Sequence, residues 1–431
     1  MNPQRQILRV CGTLAVALLA LTAYGRAQTA VPGLATLYSF QGPYNDGGNP
    51  NAALGIGSGG LLYGTTTYGG SSNDGTVFSL TPPASPGGAW TETVLHSFTG
   101  VNDGAFPATN LAIGRGGVLY GTTQGGGDDV HSCAALFGCG TVFSLTPPAS
   151  PGGEWTETLL YVFRGRADGS NPIGITMGGD GVFYGTTNNL RSAGVGTVFS
   201  LTPPASTGGA WTETVLYTFT GTDGGDPQAS VTIGKDGVLY GTTASGGPPP
   251  DLGVVFSLKP PASTGGAWTE TVLLNFIGSD GANPTGKLAI GSGGVLYGTC
   301  GSGGTMGFGT AFSLTPPASP GGPWTETVLH TFANTDGAFP VAGLVIGSAG
   351  VLVGATSGGG TASYGTVFAL TPPAAPGGSW TETVLHSFTG PPSQGSAPVA
   401  GLTIGNDGVL YGTTNSGGAA TYWGTVFALR P

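Results

Sequence analysis

Residues 31–40 read VPGLATLYSF, and strings of the same kind close a longer phrase further along: WTETVLHSF at 90–98, WTETVLYTF at 211–219 and WTETVLHTF at 324–332. The first copy has the tail of the phrase without WTET. A chain that begins with the end of a repeat unit suits a ring whose last unit is completed by its first residues. The repeat itself decides whether that reading holds.

Self-similarity runs through everything after residue 30. YGT occurs at Tyr63, Tyr120, Tyr184, Tyr240, Tyr297 and Tyr411, with Val353-Gly354-Ala355 as a degraded seventh copy. GTVF or a near variant ends at Phe78, Phe143, Phe199, Phe256, Phe312, Phe368 and Phe427. The third motif ends at Phe40, Phe98, Phe163, Phe219, Phe276, Phe332 and Phe388, so each motif occurs seven times, usually 56 or 57 residues apart. WTET occurs six times, at Trp90, Trp155, Trp211, Trp268, Trp324 and Trp380.

Each unit offers four strands. In the second unit these are Ala108–Gly114, Val118–Thr123, Gly140–Thr146 and Trp155–Phe163, the first two joined by a Gly-rich hairpin turn. Alternation in the last strand type predicts Val94, His96 and Phe98 on one face and Thr93, Leu95 and Ser97 on the other. Four antiparallel strands per unit, repeated seven times, predict an all-β, seven-bladed β-propeller of four-stranded antiparallel blades. A solenoid is the alternative, but it would need capping units, and none is apparent.

The phase follows from side-chain size. The strand after DGxxP alternates small residues (Ala53/Gly55, Asn110/Ala112, Gly343/Val345) with Leu/Val then Ile. Strands converge towards a propeller axis, so this is strand A, the innermost. VLYGTT is B, GTVFSLTP is C and WTETVLHSF is D, at the outer edge. The chain then opens with a lone D strand, makes six full blades and ends with A, B and C of a seventh. The N-terminal strand should close the ring by pairing with the last C-terminal strand, Leu37–Phe40 against Gly424–Leu429. An open ring would leave a strand edge uncovered.

Composition agrees. Gly (85) and Pro (33) make up more than a quarter of the 431 residues, yet 39% are hydrophobic, enough for a core. Short strands with Gly/Pro turns fit this better than disorder or helices. Residues 1–27 read as a signal peptide: Arg5 and Arg9 precede a 15-residue apolar run, Val10 to Tyr24, and cleavage is expected after Ala27. Residues 28–33 form a short linker, and 34–431 a single propeller domain. No second apolar span follows and no sorting tail is visible, so an exported protein is expected, in the periplasm, at the cell surface or outside the cell. Export would leave 8 basic and 21 acidic residues, net −13. Nucleic acid is a poor partner for such a chain, and no basic cluster suits an anionic membrane.

Cys133 and Cys139 share one loop, HSCAALFGCG, and an exported chain meets oxidising conditions, so a loop-closing disulfide is expected. With His131 nearby they make an incomplete metal set. Cys300 replaces the second Thr of a YGTT copy and reads as a small buried substitution.

The segments GVLYGTTxxGG, GTVFSLTP, WTETVLHSF and DGxxP, recurring in fixed order over about 34–431, resemble the GloVer tandem repeat of cyanobacterial and verrucomicrobial proteins. The resemblance implies an exported repeat protein, in some members with a C-terminal sorting anchor. It implies no established activity and lends no catalytic residues. The strand grammar is also similar to quinoprotein-type propeller repeats.

Chemistry is sparse. Six of seven Glu are the repeat Glu of WTET, and a residue copied onto six outer strands points away from one converging site. His96, His330 and His386 share one repeat position with Tyr161, Tyr217 and Leu274, which reads as packing. Asp46, Asp103, Asp168, Asp223, Asp280 and Asp336 stand in DGxxP, a turn signal, and one Asp per blade is too few for calcium. No phosphate-loop motif occurs, and the Trp ring reads as structural cover for Pro/Gly loops. No metal and no cofactor is expected.

The C–D links are almost constant, whereas the B–C loops vary. The meander puts B–C loops and D–A links on one end of the ring, with Tyr68, Phe137, Phe308, Tyr364, Tyr422 and Trp423 from the former and Phe106 and Phe339 from the latter. Arg191, Asp128 and Asp129 add unique charges there, and Lys287 is the one charge on the small-residue face of strand A, directed towards the channel. Variable loops on a rigid frame often bind. The expectation is a monomeric, non-enzymatic scaffold for carbohydrate or for cell-envelope or extracellular protein. A hydrolase or lyase acting on glycans or other extracellular polymers is the runner-up, and a purely structural envelope protein the third reading.

Overall fold

A computed structural model describes residues 33–431 apart from 45, 86, 128–132, 134–137, 151, 166, 189–194, 207, 264, 320, 376 and 420–421. The expected signal peptide and most of the expected linker thus lie outside the described residues. Seven four-stranded antiparallel sheets follow one another around a ring. Blade 1 comprises Gly55–Ile56, Leu62–Thr66, Thr76–Thr81 and Thr91–Ser97, in the order A, B, C, D from the centre outwards. Blade 7 takes its A, B and C strands from Thr403–Ile404, Leu410–Thr414 and Thr425–Arg430, and its D strand is Gly33–Ser39. That first strand pairs antiparallel with the last, from Gly33 opposite Arg430 to Ser39 opposite Thr425. The Phe40 N–H extends the ladder to the Gly424 carbonyl at 3.1 Å. GLATLYSF, residues 33–40, therefore supplies the outer edge of the last blade.

The recurring motifs are the contacts between and within blades. Phe78 of blade 1 meets Phe40 of blade 7 edge-on at 5.1 Å, and the same pair recurs as Phe98/Phe143, Phe219/Phe256 and Phe388/Phe427. The YGT glycine makes room for it: a Cβ on Gly64 would lie 2.5 Å from Phe78 Cζ, so any side chain there would displace the ring. The first YGTT threonine reaches the inner strand of the next blade, as Thr186 to the Ala229 carbonyl at 2.9 Å and Thr299 to the Ala342 carbonyl at 2.8 Å. The second pairs with the C strand of its own blade, Thr66 Oγ1 to Thr76 Oγ1 at 2.8 Å. Cys300 takes that second position, buried and unbridged.

Three expectations change. Strand A is two residues long in six of the blades, and only in blade 3 does it run over Pro172–Met177. Neighbouring blades hydrogen-bond the inner segment through threonine hydroxyls, so it needs no long ladder. The simple alternation of strand D fails because of a bulge. Val77 lies opposite His96 but Phe78 opposite Val94, which leaves Leu95 unpaired. An extra residue switches the face of everything beyond it, so His96 and Phe98 turn to the next blade with Leu95, while Glu92 and Val94 face the preceding one. The tryptophans are structural, but five of the six repeat copies meet a tyrosine of the preceding blade, as Trp155 with Tyr63 and Trp90 with Tyr411 at 6.1 and 6.4 Å, while Trp211 stacks on Phe183 of its own blade at 5.5 Å.

Candidate functional site

The D–A links and B–C loops are tied into one surface. Gly48 bridges to Tyr68, Ala105 to Gly125, Ala282 to Ser302 and Ala338 to Gly358, each link to the loop of the blade it enters. Phe106 N–H also donates to the Asp74 carbonyl, and Phe339 N–H to that of Phe308, both at 2.8 Å, so each link is also held to the blade it leaves. Both phenylalanines sit at a φ of 59°, in the left-handed region that disfavours side chains.

This geometry gathers the aromatic residues in pairs. Tyr68 and Phe106 meet edge-on at 5.8 Å, and Phe308 and Phe339 at 6.1 Å. Tyr68 and Phe339 remain 41% and 44% exposed. Tyr422 is exposed, and so is Tyr44, which sequence reasoning missed because it lies in a D–A link with no repeat partner. Tyr364 and Trp423 behave differently. Trp423 fills the space over Gly42 and Gly48, where added Cβ atoms would come within 2.4 and 2.5 Å of its ring, and Tyr364 covers Gly390 in the same way. Trp423 is half-buried loop cover, whereas Tyr364 covers its glycine and still keeps 41% of its surface exposed, as much as Tyr68. Phe137 and Arg191 lie outside the described residues, as do Asp128 and Asp129. Cys133 and Cys139 are joined by a disulfide, as expected, and both are buried against Phe163 and Phe183.

Lys287 projects into the central channel, about 250 Å³ of space lined by the A strands of all seven blades. Its Nζ donates to Thr176 Oγ1 of blade 3 at 2.7 Å, and that hydroxyl donates on to the Val231 carbonyl at 2.6 Å. No carboxylate is among the described residues lining the channel. Burial lowers the ammonium pKa to about 8.

Sequence reasoning treated the repeat Glu, the DG aspartate and the His/Tyr position as three separate structural roles. The structure joins them at the seams between blades. Tyr38 and Asp46 meet Glu92 of the next blade; His96 and Asp103 meet Glu157; Tyr161 and Asp168 meet Glu213; and the series continues to His330, Asp336 and Glu382. The aspartates do cap the turn, as expected: Asp46 accepts from the Gln41, Gly42 and Gly47 N–H groups. Their remaining oxygen faces the seam, where Tyr38 donates to Asp46 at 2.5 Å and Tyr217 to Asp223 at 2.5 Å. Oε1 of all six repeat glutamates is buried without a hydrogen-bond partner. Burial, reinforced in each case by the neighbouring aspartate, raises every one of these glutamates to about 7. Each of these glutamates therefore favours its neutral form beside the charge of the aspartate. The remaining seam supports it. There Gln394 replaces the aspartate, accepting from His386 at 3.0 Å, and Leu34 replaces the glutamate. Both acids are absent together.

These features define a seven-bladed repeat propeller with one loop-tied aromatic face and a Glu–Asp pair at six of its seams. The chain belongs to the Gloeobacter/Verrucomicrobia repeat family, whose sequence model matches residues 22–137, 130–345 and 319–431. No curated protein matches it. Among solved structures it is similar to two extracellular domains of two-component systems from B. thetaiotaomicron. One shares 11% identity with a TM-score of 0.51, over 94% of this chain and 42% of that one. The other shares 10% with a TM-score of 0.53, over 92% and 40%. The chain thus spans about two fifths of the length of these domains. A polysaccharide lyase acting on ulvan matches at 10% identity and a TM-score of 0.48, over 90% and 94%. At such identities the likeness is one of fold.

Proposed function

We propose that this protein is an exported, non-enzymatic binding scaffold whose loop face engages carbohydrate or a cell-envelope or extracellular protein. The observation that carries this reading is the two aromatic pairs, Tyr68/Phe106 and Phe308/Phe339, each with one exposed ring on a half-buried partner and each bridging two blades on the variable end of the ring. Ring faces held rigidly beside Gly, Ser and Asn loops suit the apolar faces of sugars and flat protein surfaces. The six repeat glutamates and six DG aspartates are repeated around the ring and meet in the seams, which favours binding over hydrolysis. Binding of the purified protein to a panel of glycans and envelope polymers tests the proposal. Tyr68→Ala and Phe339→Ala should weaken capture about tenfold or more without lowering the melting temperature, a loss of roughly 1.4 kcal/mol. Capture that ignores both substitutions, or no capture at all, would sink it. Release of shortened oligosaccharide would favour the enzymatic reading.

A further inference from the structure

We propose that the seam between blades 5 and 6 is a binding site for a first-row divalent cation, zinc above all, held by one ligand atom each from His330, Asp336 and Glu382. Among the described residues, this is the one place where three such atoms gather within 4.8 Å of one another. His330 Nε2 lies 3.0 Å from Asp336 Oδ2, a separation close to that between neighbouring ligands of a tetrahedral zinc ion.

Each ligand is set in place by something else. The Ala333 N–H, at 2.8 Å, occupies Asp336 Oδ1 and leaves Oδ2 turned to the seam. The His330 ring stands edge-on to Phe332 at 4.8 Å. Glu382 Oε1 is buried and has no hydrogen-bond partner. Two carboxylates facing each other need a positive charge between them. At most seams a proton on the glutamate is the available one. An imidazole lone pair added to the two oxygens makes an N,O,O set, and a dication then competes with the proton. A water can complete the tetrahedron, because the His330 and Asp336 side chains each keep 21% of their surface open to solvent. Calcium fits poorly, since it takes six to eight oxygen ligands.

The other seams serve as internal controls. Tyr38, Tyr161 and Tyr217 put a phenol donor where His330 stands, which satisfies the aspartate and removes the nitrogen ligand. Seam 6/7 keeps His386 but has lost both acids. Seam 1/2 has the same three residue types, but His96 Nε2 is 3.4 Å from Asp103 Oδ2 and its three atoms do not gather as closely, so it should bind more weakly. Both His-Asp-Glu seams carry the sequence DGAFP, which sets Phe106 and Phe339 three residues beyond the aspartate. The cation would therefore sit just beneath the aromatic face.

The test is zinc titration of the chelator-stripped full chain against a chromogenic competitor, with cobalt(II) absorption reporting the ligand field. One tight equivalent is expected, together with a rise in melting temperature. His330→Tyr should remove that equivalent and the cobalt band. It should still fold in chelator, because three other seams carry tyrosine. His386→Tyr should change neither. Glu382→Gln, which keeps the shape of the side chain, should weaken binding if His330→Tyr proves hard to make. No saturable binding, or a tight equivalent that survives His330→Tyr, would overturn the site.

Discussion

Leu34 stands opposite Leu429 where the first and last strands of the chain pair, in the place where Glu92 stands opposite Leu80 one blade on. The closing strand thus repeats the register of the other D strands while changing the chemistry of its seam.

The closure is held by the same buried ring as every other seam. Phe40 is fully buried and meets Phe78 at 5.1 Å. Phe40→Ala should cost roughly 3–5 kcal/mol, as expected for emptying a phenylalanine site in a core. Denaturant unfolding should show Phe40→Ala and Phe98→Ala to be equally damaging. A much smaller loss for Phe40→Ala would mean that the first strand is dispensable for the ring.

The absent seventh acid pair can be installed. Leu34→Glu alone places a carboxyl against apolar neighbours, including Phe388 and Leu402, and should destabilise by about 1–2 kcal/mol. Gln394→Asp alone should be nearly neutral, since Asp280 caps the equivalent turn through the Ile277 N–H. The coupling between the two changes, read from a double-mutant cycle, should become less favourable as pH rises from 5 to 8, on the order of 1 kcal/mol. His386 faces the same seam and must be kept constant across the cycle.

Seam 4/5 offers the clearest pH test, because Leu274 replaces the His or Tyr of the other seams. Glu326 is raised to about 7, by burial first and by the charge of Asp280 second. A carboxyl raised above its unfolded value favours folding in its protonated form. Its contribution is complete below about 4.5 and is lost as pH climbs through 7. The folded protein should therefore lose stability across that window. Glu326→Gln should flatten the loss by something on the order of 1 kcal/mol, after allowance for solvent screening of a half-exposed group. Melting curves of both proteins from pH 4.5 to 8 decide it, and parallel curves would show that Glu326 does not titrate with folding.

Lys287 titrates with the opposite sign. Burial lowers its folded pKa to about 8, below the unfolded value, so the ammonium opposes folding and stability returns as pH rises from about 8 to the unfolded pKa. Lys287→Met should accordingly be the more stable protein at pH 7, with the gap closing at high pH. Equal melting temperatures at pH 7 would mean that the Thr176 hydroxyl compensates the buried charge in full.

The number of blades, their phase and the closing pair were legible because each rests on local, repeated chemistry. A Gly beside a Phe, a Pro-bounded hairpin and a short apolar strand recur seven times and allow few arrangements. The disulfide was legible for the same reason, since both cysteines lie in one loop. The bulge at Leu95 was not, because WTETVLHSF alternates well enough as a straight strand. One unpaired residue turned His96 towards the next blade, and that change of face created the seams. Glu157 lies 54 positions beyond Asp103, so no spacing rule links them. The signal that could have found the seams was a shared absence, Gln394 in the one DG copy without Asp and Leu34 in the one D strand without Glu.

By itself, then, the sequence determined the ring: what repeats, how often, and where the chain closes on itself. Only the tertiary structure decided which of the repeated groups meet. Residues such as His330, Asp336 and Glu382 belong to two different units, and their distances depend on how neighbouring blades are packed and twisted. The local pattern of each unit specifies its own strands, but a contact between units exists only once both sheets are in place.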